Sequence, residues 1–224
     1  MIISHKHRFI FIKTNKTAGT SVEIALSKFC GPEDVLTPIS PADEVLREKE
    51  GYSGRQNYLA SKAEYGLQDW VRFVLKGTRR RRFFNHISGE LVRQRVPAEI
   101  WDSYFKFCIE RNPWDRVISS YYWKTRKGYD LTLEQWLRNG GHQVLVKQGR
   151  ALYTAQGEII LDRVIRFEDL ENELEDVRCQ LDLPRAKAGV RKDKRPYREI
   201  LSDEARDIVA RDFAFEIERF GYQF

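Results

Sequence analysis

Lys16 stands in the stretch KTNKTAGTS (Lys13–Ser21), after an apolar run, Phe9-Ile10-Phe11-Ile12, and before an apolar-periodic one, Val22-Glu23-Ile24-Ala25-Leu26. The order is strand, short loop of Lys, Thr, Gly and Ser, then helix. A loop entering a helix presents unpaired backbone N–H groups and the positive end of the dipole, which suits an anion. Gly19 lets the backbone approach such an anion closely. Thr17, Thr20 and Ser21 add hydroxyl donors, and Lys16 can meet charge that develops on a bridging oxygen. The usual phosphate-loop order, GxxxxGK[ST], is absent, because Lys16 precedes the glycine. Taken alone, the stretch also reads as a basic turn before a Thr-capped helix.

A second constellation is ERNPWDRVISSYYW, Glu110–Trp123. Arg111 falls where a strand ends and a helix begins, the place where ligands bind on a parallel sheet. Ser119 follows two turns into that helix, on the face of Asp115 and Trp123. An arginine fork and a serine hydroxyl can grip one phosphate between them. The plainer reading makes Arg111 and Arg116 surface ion-pair partners and the aromatic residues core.

Together, KTAGTS after the first strand and RNPWDRVISSYYW after a middle strand resemble the nucleotide-dependent sulfotransferases. The resemblance is to the carbohydrate branch, with heparan and chondroitin O-sulfotransferases and bacterial relatives. VIRFEDLENELEDV and the tail LSDEARDIVARDFAFEIERFGYQF add fold-level support. The likeness spans nearly the whole chain and is weakest over residues 31–80. It implies 3′-phosphoadenosine 5′-phosphosulfate (PAPS) as the donor, leaving 3′-phosphoadenosine 5′-phosphate (PAP), and no metal. Lys16, Thr17, Ala18, Gly19, Thr20 and Ser21 would hold the 5′-phosphosulfate, and Arg111 and Ser119 the 3′-phosphate. Lys16 would also stabilise the leaving oxygen. In the glycan branch a histidine between the two motifs serves as base, which implies His86 in FFNHISGEL, with Glu90 in reserve. The competing reading of His86 is a cap on the helix that follows. His5 and His7 flank a strand and read as solvated.

The 224 residues suit one domain spanning 1–224, with 31–80 as a variable insert on the acceptor side. Alternating strands and helices imply an α/β three-layer sandwich around a mostly parallel sheet, with a P-loop-like nucleotide core. Strands are expected over 7–13, 104–110 and 162–167. Helices are expected over 20–29, 61–76, 88–95, 97–103, from Pro113, over 132–137 and 168–181, and from Ser202 to Gly221. MIISHKHRFIFIK reads as the first strand and not as a signal peptide. No apolar run reaches the ~20 residues of a membrane span. Three scattered cysteines fit a reducing compartment. These features point to a cytoplasmic protein, or to a trimmed catalytic domain.

The net charge of +6 invites anionic partners. Residues 72–82 (RFVLKGTRRRR) hold six basic residues and no acid. Arg79–Arg82 reads as a solvated face, or as a guide bringing an anionic acceptor to His86. The run RKDKR at 191–195 could close over the nucleotide. The expected acceptor carries a hydroxyl and is a glycan, whose anionic forms the basic charge would suit, or a small molecule. Two other functions compete. A small-molecule kinase using ATP would need GxxxxGK[ST] and an acidic magnesium ligand, for which Glu168-Asp169 is a loose substitute. A nucleic-acid binder is disfavoured because 33 acidic residues accompany 39 basic ones and the basic runs are local.

Overall fold

The N-terminal apolar stretch folds as a hairpin and not as one strand. Strand β1 (Ile2–Ser4) turns through His5–Arg8 into β2 (Phe9–Ile12), pairing antiparallel with Ile3 opposite Ile10. Two side chains fix the turn: Ser4 donates to Asp34 Oδ2 (3.0 Å), and Asp34 Oδ1 accepts from the His5 backbone N–H (2.6 Å). The computed structural model describes residues 1–126, 128–183 and 196–224. The 191–195 basic run lies outside the described residues.

After β2 come α1 (Gly19–Ser27), β3 (Val35–Leu36), α2 (Pro41–Lys49), α3 (Leu67–Lys76), α4 (Gly89–Arg95), α5 (Ala98–Ser103) and β4 (Phe105–Glu110). The second half holds α6 (Pro113–Thr125), α7 (Leu133–Arg138), α8 (Gln143–Lys147), the small hairpin β5 (Thr154–Ala155) and β6 (Glu158–Ile159), then β7 (Arg163–Arg166), α9 (Leu170–Gln180), α10 (Asp203–Asp212) and α11 (Ala214–Phe220). The main sheet has the order β3-β1-β2-β4-β7. β2, β4 and β7 run parallel, β1 runs against them, and β3 pairs antiparallel with β1 and so shares their direction.

Strand periodicity sends alternate residues to opposite faces, and both faces are covered. Phe9, Phe11, Phe107 and Ile109 pack with Val22 and Leu26 of α1 and Leu170 and Val177 of α9. Ile10, Ile12 and Cys108 pack with Val92 of α4, Trp101 of α5 and Tyr153. The result is the expected three-layer arrangement, with a third apolar cluster where α6, α7, α8, α10 and α11 meet. Both "polar" positions of β4 that flank Cys108 are also buried. Lys106 reaches the carbonyls of Trp101 (3.0 Å) and Tyr104 (2.8 Å), and Glu110 is paired beneath the sheet edge.

Helix starts follow local chemistry. Asn112 caps α6 by accepting from the N–H groups of Trp114 (3.1 Å) and Asp115 (3.4 Å), and Pro113 fills the first helical position. Thr132 and Gln135 form a reciprocal capping box on α7. The C-terminal helix breaks at Phe213, which is fully buried, and ends at Gly221 with φ +63. Two features depart from the sequence reading. The stretch 61–76 becomes a 3₁₀ turn and then α3, but most of its recurring apolar side chains are exposed. Residues 31–60 contribute β3 to the sheet and α2 to the body, where Arg47 is fully buried.

Candidate functional site

β2 and β4 lie side by side and parallel, Ile12 opposite Cys108, so their carboxyl ends open on one edge. The loop Lys13–Ala18 leaves one strand and Arg111 leaves the other. Thr14 stitches them together: its hydroxyl donates to the carbonyl of Ile109 and lies 2.8 Å from Thr17 Oγ1. Lys16 (φ +64) and Ala18 (φ +60) both adopt left-handed backbone, which costs roughly 1–2 kcal/mol at a non-glycine residue. Strain of this kind concentrates where a loop must present its backbone in one shape.

Ala18 is the N-cap of α1, with no side-chain cap and no acid in the first turn. The first-turn N–H groups are therefore left to an incoming anion. The Lys13 stem passes directly beneath: a Cβ on Gly19 would sit 2.8 Å from Lys13 Cγ. Lys13 is itself buried against Glu23 (2.9 Å). Burial pushes the Glu23 carboxyl up, but the cations around it win and hold it below the usual range.

One cleft of about 1180 Å³ is lined by Lys16, Ala18, Gly19, Thr20 and Ser21, by Arg111 and Ser119, and by His86. Two motifs and an isolated histidine, separated by up to about a hundred residues, thus face one volume. Thr17 is the exception. Its side chain is fully buried and bonded to Thr14, so it can offer a ligand its backbone but not its hydroxyl.

Arg111 is almost fully buried and held from three sides. Nε donates to Asp115 Oδ2 (2.8 Å), Nη2 bonds the same oxygen, and Nη1 donates to the carbonyl of Lys16 (3.0 Å). Its plane lies over Phe167, 4.3 Å from the ring centroid. Three of five guanidinium N–H groups are spent in these bonds, and one on each terminal nitrogen is left for an anion. Asp115, the acid in the first turn of α6, thus grips the arginine that precedes its own helix.

Arg116 does not sit on the surface. It is fully buried, 2.9 Å from Glu110 Oε1, and donates to the carbonyls of Asn15 (2.7 Å) and Gln148 (3.1 Å). Glu110 is completed by Tyr153 OH (2.9 Å) and the Arg111 backbone N–H (2.9 Å). Sequence spacing missed this brace. It placed Trp123 on the face of Ser119 but gave it no part in the site, whereas its ring lines the cleft 5.4 Å from Lys16 Nζ. The signal for Trp123 was its place one turn beyond Ser119.

His86 adopts φ +56 and its Nδ1 lies 2.9 Å from the carbonyl of Lys13. A carbonyl only accepts, so Nδ1 carries the proton and Nε2 keeps its lone pair. Burial pushes the imidazole down to about 4, against the raising effect of the Lys13 carbonyl. His86 is therefore a neutral base at ordinary pH. A free histidine titrates near 6.5, so between about 6.5 and 4 the unfolded chain binds more protons, and stability falls as pH is lowered through that window. Two-dimensional NMR of the ring should show no His86 titration between pH 8 and 5. A midpoint near 6.5 would contradict this environment.

The other candidates lie elsewhere. His142 is buried on Asp212 (2.6 Å), His5 bonds Tyr104 OH (2.9 Å), and Glu90 is exposed and not part of the cleft wall. Arg79 and Arg82 line a second hollow, with Arg55 and Arg95, and not the cleft of His86. Glu168 accepts from the Asn112 backbone N–H (2.7 Å), and burial holds its carboxyl above the usual range. That environment is poor for a magnesium ligand and weakens the kinase reading.

A model of the sulfotransferase family matches residues 1–158, and the chain belongs to that family. An uncharacterized protein of Archaeoglobus fulgidus is 28% identical over 99 residues, covering 42% of this chain and 81% of that one. The crystal structure of a sulfotransferase from Alicyclobacillus acidocaldarius matches with a TM-score of 0.45 and 17% identity, covering 96% of each chain.

Proposed function

We propose that this chain transfers the sulfuryl group of PAPS to an acceptor hydroxyl, on a carbohydrate. The observation that carries the reading is the meeting, in one cleft, of a bare helix N-terminus, a pre-oriented arginine and a neutral histidine. The donor carries two anionic ends, and the sheet edge offers two places for them. The uncapped first turn of α1, with Thr20 and Ser21, suits the 5′-phosphosulfate. The two unspent N–H groups of Arg111, with the Ser119 hydroxyl, suit the 3′-phosphate.

In the transfer, the acceptor oxygen bonds to sulfur as the bond from sulfur to the phosphate oxygen breaks. His86 Nε2 takes the hydroxyl proton. Lys16 meets the charge appearing on the leaving phosphate oxygen. A bound polyanion adds negative potential beside His86 and raises its affinity for the proton, which strengthens it as a base when the donor is present. Ser40 and Asp43 of the 31–80 stretch line the same cleft, which supports a part for that stretch in choosing the acceptor.

Calorimetric titration tests the reading. PAP should bind in the micromolar range without magnesium, and ATP much more weakly. Magnesium-dependent ATP binding with no preference for a 3′-phosphate would favour the kinase. Arg111→Ala should cost PAP about 10–100-fold in affinity, roughly the worth of one hydrogen bond to a charged group. It should leave 5′-AMP, which lacks the 3′-phosphate, nearly unchanged. Equal losses for both nucleotides would mean that Arg111 serves the loop and not the 3′-phosphate.

A further inference from the structure

Helix α3 presents an apolar face to solvent. Leu67 is 82% exposed, Val74 and Leu75 are each 75%, and Val71 and Trp70 are 48% and 40%. At about 100° per residue these five fall within one arc of the helix. The helix is held from the side, where Trp70 and Phe73 meet Tyr65 at centroid distances of 5.4 and 6.2 Å and Lys62 lies over Phe73. Gly77 then ends it with φ +62 and the chain runs into Arg79–Arg82.

The charge around this face is one-sided. The nearby acids are already engaged: Asp69 holds Arg80 (3.1 Å) and Glu64 lies 3.5 Å from Arg82. Arg72, Lys76, Arg79 and Arg81 are exposed and in no ion pair with a described acid. An exposed apolar arc bordered by uncompensated cations is what lies flat at a lipid interface, side chains in the acyl boundary and cations among anionic headgroups. Among the described residues no helix is long and apolar enough to cross a membrane.

We propose that α3 and the arginine run after it dock this protein reversibly onto anionic lipid surfaces. A second copy of the chain could also cover an apolar face. Two such helices face to face would bring the same cations together, whereas an anionic bilayer neutralises them. The proposal is independent of the donor and acceptor chemistry.

Vesicle flotation tests it, using phosphatidylcholine alone and phosphatidylcholine with about a third phosphatidylserine. The protein should float with the anionic vesicles and not with the neutral ones, and less as salt is raised. Val74→Asp with Leu75→Asp should abolish flotation without changing Tm, since both side chains are exposed. At roughly fivefold per cation near an anionic surface, Arg79→Ala with Arg81→Ala should weaken partition about 25-fold. Failure to bind anionic vesicles at low salt overturns the proposal, as does binding indifferent to the double aspartate. A concentration-dependent dimer in ultracentrifugation that the double aspartate breaks, with no vesicle binding, would give the face to a second copy.

Discussion

His86→Asn should lower kcat by about 10²–10⁴, the usual contribution of a positioned base, while the affinity for PAP stays within about twofold. Asparagine is the informative replacement. His86 sits at φ +56, a conformation asparagine tolerates better than other non-glycine residues. Its side-chain amide can still donate to the Lys13 carbonyl that now accepts from Nδ1. The variant keeps the tether and loses the proton acceptor. If His86 merely held the loop in place, His86→Asn would turn over at close to the wild-type rate and His86→Ala would not. If Nε2 takes the proton, both variants fail alike. Because the free imidazole is pushed down to about 4, the acid limb of kcat/KM for the free enzyme should also lie well below pH 6. A limb at 6.5 would assign the titration to another group.

The same histidine shows what a sequence can and cannot carry. Its place between the two motifs was legible, and so were the strand-loop-helix around Lys16 and the helix from Pro113 after Arg111. These are local patterns whose signals lie within a few residues. The bracing of the site was not legible. Glu110 and Arg116 are six residues apart and look like surface charges, because nothing in the spacing says that Tyr153, Asn15 and Gln148 close over them. Nor does the strand pattern of 104–110 say that the Lys106 ammonium sits over the Trp101 ring and bonds two carbonyls and Asp162. Thr17 looked like a ligand hydroxyl, and tertiary contact turned it inward. α3 erred in the other direction. Its apolar period forms the helix, but a period cannot say whether the face it makes is covered.

Arg116→Met should destabilise the fold by about 3–5 kcal/mol, the cost of leaving a buried charge without its partner. Arg116 and Glu110 are both fully buried, so the surviving carboxylate would have only Tyr153 OH and one backbone N–H. At roughly 2–4 °C per kcal/mol for a chain of this size, Tm should fall by about 6–20 °C. The double variant Glu110→Gln with Arg116→Met should recover part of that loss, since it removes the stranded charge. The double variant should not restore the donor site. Arg116 also donates to the carbonyl of Asn15, which fixes the loop just before Lys16, and no neutral replacement of Glu110 supplies that bond. PAP affinity should therefore stay depressed when stability returns. If affinity and stability recover together, the buried pair serves the core alone. If Arg116→Met costs under about 1 kcal/mol, the pair is no keystone, and the Lys16 loop keeps its shape through the Thr14–Ile109 stitch and its own left-handed backbone.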